Sequence, residues 1–157
     1  MRPSACLAVL LALAAMAACG SADDDTTPVA CLNGEPPYAR ALESAPGAVR
    51  LEGETPISDC LVENQSAGDL GQLGTILVGM TTDLNTGARA DPGGAPTVQL
   101  GYLIGAVERG AERTGGIHAE LVRRLEAAAL FSPAGKPPPP PFDQTYAKGY
   151  AAGMDDG

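Results

Sequence analysis

A mostly α-helical fold is what this 157-residue chain predicts: a small helical hairpin or bundle, an irregular disulfide-tied segment before it, and a C-terminal helix after a polyproline spacer. Three observations support that expectation. Apolar residues recur every three or four positions over Leu70 to Leu84, Leu100 to Ala129 and Phe142 to Met154, the period of one helix face. Strand-like alternation is confined to Val49 to Glu52. A run of prolines, Pro137 to Pro141, sets the last periodic stretch apart from the others. The organisation expected is a signal segment 1–18, an acidic tether 19–30, a helical domain 31–135, a spacer 136–141 and a C-terminal helix 142–157.

Met1 and Arg2 supply a short positive start, Ala5 to Ala15 are apolar apart from the small Cys6, and small residues lead into Cys19. This is the layout of a secretory signal. A membrane-spanning helix needs roughly 20 apolar residues, so a run this short ending in Asp23, Asp24 and Asp25 does not span. Met16-Ala17-Ala18-Cys19 resembles the lipobox of bacterial lipoproteins, in which small residues precede an invariant cysteine; Met16 stands where that family prefers Leu. The resemblance covers residues 1–19 only. It implies a diacylglycerol thioether on the Cys19 sulfur, cleavage before Cys19, and a protein held on the extracytoplasmic side of a membrane, periplasmic or at the cell surface. One acyl chain binds a membrane marginally and two bind it stably, at about 0.8 kcal/mol per buried CH₂. The plain alternative is an ordinary secretory signal cut near Ala18, leaving Cys19 a free thiol.

Gly20 to Ala30 is polar and acidic and reads as a flexible tether. Asp23 to Asp25 lack other oxygen ligands at fixed spacing and read as solvated charge, not a cation site. With Cys6 removed and Cys19 acylated, Cys31 and Cys60 are the two thiols left, and in an oxidising compartment they pair. A metal or redox role for them has no C-x-x-C and no nearby His behind it.

Within that loop Pro36-Pro37 opens a short helix through Tyr38, Ala41 and Leu42, which Pro46-Gly47 stops. Val49 and Leu51 make a short strand with nothing obvious to pair with, and Thr55-Pro56 caps a turn through Ile57, Cys60 and Leu61. Ser66-Ala67-Gly68-Asp69 has capping-box spacing and starts a helix whose stripe is Leu70, Leu73, Leu77, Met80 and Leu84, ended by Asn85-Thr86-Gly87. A loop over 87–96 leads to a helix capped by Thr97. Its apolar face, Leu100, Ile104, Val107, Ala111, Thr114, His118, Val122, Leu125 and Ala129, keeps one register through Gly115-Gly116. Two interior glycines cost about 1 kcal/mol each and argue for a break, but the unbroken register favours one long or kinked helix to Leu130, antiparallel to the helix from Ser66. Phe142, Tyr146, Tyr150 and Met154 stripe the last helix, capped by Asp143, which docks on the hairpin or projects as a partner-binding face.

Function is less legible. A net charge of −9, no Trp, 4% aromatic residues and no basic cluster exclude the phosphate-neutralising and stacking surfaces of nucleic-acid binders. The same charge is repelled by anionic headgroups, so lipid on Cys19 and not the domain surface holds the membrane. His118 is the single histidine; no nucleophile motif accompanies it, and on an apolar face it reads as a hydrogen-bonded core residue. Glu108 and Glu112 share a helix face at the spacing of an acid/base pair, but Arg109 reaches Glu112, and Arg123 and Arg124 reach Glu120, as on a solvated charged face. Gly101 with Gly105, and Gly149 with Gly153, have the spacing of close helix approach. The expectation is a non-enzymatic, lipid-anchored binding module of the cell envelope, with no catalytic residues, metal or cofactor and an envelope protein as partner. The alternatives are a small envelope hydrolase using Glu108, Glu112 or His118, and a small-molecule or lipid carrier with an apolar cavity between its helices.

Overall fold

The structure, a computed structural model, describes residues 26–132 and 135–157. The expected signal segment, Cys19 and Asp23 to Asp25 lie outside the described residues. Among the described residues there are five α-helices and no β-strand: α1 (Glu35–Leu42), α2 (Ala67–Ala90), α3 (Ala95–Arg113), α4 (Ala119–Ala129) and α5 (Pro140–Asp156). Val29–Leu32 and Ile57–Cys60 are single 3-10 turns. No described helix is long and apolar enough to cross a membrane.

Pro36 and Pro37 occupy the first turn of α1, where a missing N–H costs nothing, and the helix buries Tyr38 and Leu42. The strand expected around Val49 and Leu51 is instead a single antiparallel bridge from Leu51 to Thr55. Glu52 and Gly53, at φ 53° and 87°, turn the chain back on itself at once, and Val49 and Leu51 both point into the core. Pro56 takes the cap position expected of Thr55. The turn that follows places Cys60 against Cys31, and the two form the disulfide, with Cα atoms 5.6 Å apart.

Ser66 starts α2 as its spacing predicts, the hydroxyl accepting from the Asp69 N–H at 3.0 Å. The helix then runs past Asn85-Thr86-Gly87 to Ala90. Gly87 does not stop it, because this glycine makes room for a neighbour: a Cβ there would lie 2.9 Å from Cβ of Pro96. The connection shrinks to residues 91–94. Gly94 holds the cap of α3, and Thr97 sits in the first turn with its hydroxyl donating to the Asp91 carbonyl at 3.2 Å.

The expected continuity through Gly115-Gly116 is wrong. These residues stand at φ 66° and 80°, which a right-handed helix cannot contain, and the chain reverses over 114–118. The apolar register survives because α4 folds back along α2: Leu121 and Arg124 lie beside Gly74. At the far end Asn85 Nδ2 donates to the carbonyls of Ala128 and Leu130 at 2.8 and 2.9 Å, and Arg89 to Leu130 at 2.9 Å, so α2 satisfies the open end of α4. The antiparallel course of α2 and α3 is fixed at one end by Gly87 on Pro96 and at the other by Gln65 bonded to His118. Leu73, Leu77, Leu100, Leu103, Leu125 and Tyr102 are fully buried in the core that these helices share with α4.

Pro140 and Pro141 belong to the first turn of α5 and not to the spacer, so Pro139 is the cap and Asp143 lies inside the helix. Pro141 lies beside Gly93, just before α3, and α5 then runs parallel to α3. Their contact is backbone on backbone. A Cβ at Gly149 would strike the Val98 carbonyl, one at Gly153 the Tyr102 carbonyl, and ones at Gly101 and Gly105 the Tyr146 and Tyr150 carbonyls. Both glycine pairs therefore serve one seam. The last carbonyls of α5 are held by cations, as a helix C-terminus favours: Arg50 donates to Asp156 O at 2.9 Å and Arg109 to Met154 O at 3.0 Å and also to Asp155 O.

Candidate functional site

The fold brings the polar residues singled out above to two separate places. The first is the corner between α3 and α4. His118 is 1% exposed, with Nδ1 2.8 Å from the Thr114 hydroxyl and Nε2 2.9 Å from Gln65 Oε1. Burial lowers its pKa below the ordinary histidine value. Both ring nitrogens are committed inside the protein, as expected of a core histidine. Thr114 shares the predicted face of His118 in the sequence, but nothing in the sequence ties Gln65 to that histidine; its amide acquires meaning only from what the fold places beside it.

The second place is a face built by three helices. Because α5 turns its glycines to α3, the stripe at fourfold spacing emerges alongside, toward α4. Phe131 and Phe142 meet edge to face at 4.6 Å, Phe142 and Tyr146 stack at 5.7 Å, and Tyr146 and Tyr150 at 6.2 Å. Met154, the fourth member, is half-buried below them. Three carboxylates act on the two phenols: Glu108 and Glu112 from α3 and Glu126 from α4. Tyr150 donates its hydroxyl to Glu108 Oε2. That hydrogen bond, then burial and the charges of Glu108, Glu112 and Glu126, push its pKa up to about 12. Burial, followed by the charges of Glu108 and Glu126, raises Tyr146 as well. Both shifts hold the phenols in the neutral form at physiological pH.

The ion pairs expected along α3 and α4 form only in part. Glu120 pairs with Arg123, but Arg124 lies across α2 near Gly74. Arg109 does not pair with Glu112; it caps α5. Arg113 pairs with Asp59 at 2.9 Å. No ion pair among the described residues holds Glu108, Glu112 or Glu126. No hydrogen bond among them joins any two of Glu108, Glu112 and His118, and no group of three acidic, Cys or His residues is placed to hold a metal.

Two clefts complete the surface. One, of about 540 Å³, is lined by Thr26 to Val29, Asp59, Val62 and Arg113. The other, of about 530 Å³, is mostly apolar, between Pro36 and Ala39 of α1, Met80 and Leu84 of α2, and Pro96. Both open widely to solvent, unlike the enclosed sites that bury most of a small ligand. No known protein family, curated protein or solved structure matches the chain.

Proposed function

We propose that this protein is a lipid-anchored, non-catalytic binding module of a bacterial envelope, tied to the membrane through Cys19 and engaging a cationic segment of an envelope protein with its acidic aromatic face. The observation behind this reading is the diversion of Arg109 and Arg113. With those cations spent on α5 and on Asp59, Glu108, Glu112 and Glu126 act on the Tyr150 phenol, and Glu108 and Glu126 on that of Tyr146, without an ion pair among the described residues. Carboxylates beside half-buried aromatic rings favour Lys and Arg side chains, each worth about 0.5–1 kcal/mol where a ring is reached at a wet site. The same face is repelled by anionic headgroups, which turns it toward partners and away from the bilayer.

Two measurements test the two halves of the proposal. Intact mass of the membrane-extracted protein is expected to give a chain starting at Cys19 with added diacylglycerol; an unmodified Cys19 ends the anchor. Crosslinking in the native membrane is expected to capture a basic partner from the wild type. The Glu112→Gln/Glu126→Gln double variant should capture it at least fivefold less while keeping its circular dichroism, since both side chains are exposed. Equal capture by the variant would put the interface elsewhere.

A further inference from the structure

Met80, Asp83, Leu84 and Gly87 recur on α2 at i, i+3, i+4 and i+7, the spacing of one helix face. Glycines let a neighbour onto α2 at either end of that face. A Cβ at Gly79 would strike the Glu35 carboxylate, so the first turn of α1 reaches α2 there, and Gly87 admits Pro96 at the start of α3. Gly79 and Gly87 are eight positions apart, about 12 Å of helix. The cleft of about 530 Å³ lies along this stretch, with Pro36 and Ala39 lining it from α1. Met80 is 6% exposed in it and Leu84 half-buried. Two carboxylates, Glu35 and Asp83, line the same apolar cleft. Both are exposed, and neither is held in an ion pair among the described residues. No cation lines the cleft: Arg40 of α1 is not part of its wall, and Arg89 of α2 is committed to the Leu130 carbonyl.

We propose that this cleft receives an apolar peptide segment carrying Lys or Arg, laid along α2 between α1 and the start of α3. Its width to solvent, which fails to enclose a small ligand, suits a chain that enters and leaves at the two ends. Its length matches about two turns of an amphipathic helix, the recognition mode in which apolar side chains fill a groove and polar ones meet its edge. The unbranched Met80 side chain adapts to whatever apolar group enters. Charge then selects among apolar occupants. A fatty acid or an anionic lipid would bring its own negative head to Glu35 and Asp83, whereas a Lys or Arg beside the apolar residues supplies the cation that the cleft lacks. The site stands apart from the acidic aromatic face, which belongs to α3, α4 and α5, and it rests neither on that face nor on lipid at Cys19.

Met80 and Met154 are the methionines of the described residues, one lining the cleft and the other beside the aromatic stripe of α5. Methionine-methyl NMR of the full chain, kept free of detergent and assigned with Met80→Leu, therefore reads the two surfaces separately. The probe is a synthetic amphipathic peptide of leucine and lysine; the controls are its leucine and glutamate counterpart and dodecanoate. The Met80 methyl is expected to shift saturably with the lysine peptide and to stay in place with either control at the same concentration. Glu35→Gln/Asp83→Asn should weaken the lysine peptide at Met80 about fivefold, the worth of two exposed ion pairs, while the Met154 methyl shows the fold intact. Should that variant not fold, salt decides on the wild type: affinity at Met80 should fall as ionic strength rises from about 0.05 to 0.5 M. Shifts confined to Met154 would leave the aromatic face standing and overturn the cleft. A Met80 shift equal for the lysine and glutamate peptides, one larger for dodecanoate, or an affinity indifferent to the double substitution or to salt also overturns it.

Discussion

Replacing Gly153 by alanine is expected to destabilise the protein by about 1 to 3 kcal/mol, the cost of forcing extra volume into a filled contact. The same change at Gly71 is expected to stabilise it by up to about 1 kcal/mol. Both residues are inside helices, so intrinsic propensity favours alanine equally at each. They differ in what a methyl group would meet. At Gly71 nothing lies within 4 Å, whereas at Gly153 the new carbon would strike the Tyr102 carbonyl and sit 2.8 Å from the Ala106 nitrogen. The obstruction is the backbone of α3, which cannot rotate aside as a side chain does. The Gly149→Leu/Gly153→Leu double variant goes further: α5 leaves its seam, at a cost above about 3 kcal/mol by the same over-packing argument. Arg50 and Arg109 then lose the carbonyls they cap. Urea denaturation measures the single changes. Trypsin measures the double change, because Lys148 is the one basic residue of α5 and becomes cleavable when the helix undocks. A Gly153→Ala protein as stable as the wild type would mean that the seam is not a backbone contact.

That seam also marks how far the sequence could be read. The spacing of Gly101 with Gly105 and of Gly149 with Gly153 signals close approach, but not that each pair is the other's partner. Spacing says nothing of direction, and the parallel course of α5 depends on its first turn starting beside Gly93, with Pro141 against it. The capping box at Ser66 was legible because its bonds are local, and the disulfide because reading residues 1–19 as a signal and anchor leaves Cys31 and Cys60 as the pair. Gly87 and Gly115-Gly116 were misread in opposite senses. A glycine used to admit Pro96 looks like one used to end a helix, and a reversal that lands the next helix on the same core preserves the apolar period that argues for continuity. The site follows the same rule. Pairing Arg109 with Glu112 is the best local choice, worth a few tenths of a kcal/mol. It loses to the exposed carbonyls of a helix end that are distant in sequence. The convergence of Glu126, Tyr146 and Tyr150 has no signature within any one helix.

Reduction of the Cys31–Cys60 bond is expected to lower the unfolding free energy by about 3 to 4 kcal/mol, the chain-entropy value for a loop of roughly 30 residues. That is a large part of the 5–15 kcal/mol that domains typically possess. The residues it confines explain why the loss falls on the whole fold. Between the two cysteines lie Tyr38, Leu42, Val49, Leu51 and Ile57, all at most 1% exposed, yet α1 is the only α-helix of the segment holding them. The Tyr38 hydroxyl donates to the Cys31 carbonyl at 3.0 Å and lies 3.5 Å from the Cys60 sulfur. The Val49 N–H donates to the Tyr102 hydroxyl at 3.3 Å, so loosening the loop reaches α3. Both cysteines are fully buried, and a reductant reaches them only once this segment opens. The comparison therefore uses protein reduced in denaturant and refolded with its thiols intact. Its urea midpoint should fall while its slope rises, because the unfolded chain without the crosslink exposes more surface. Coincident urea transitions for the oxidised and reduced proteins would show that packing around Tyr38 and Leu51, and not the covalent bond, holds the loop to the helices.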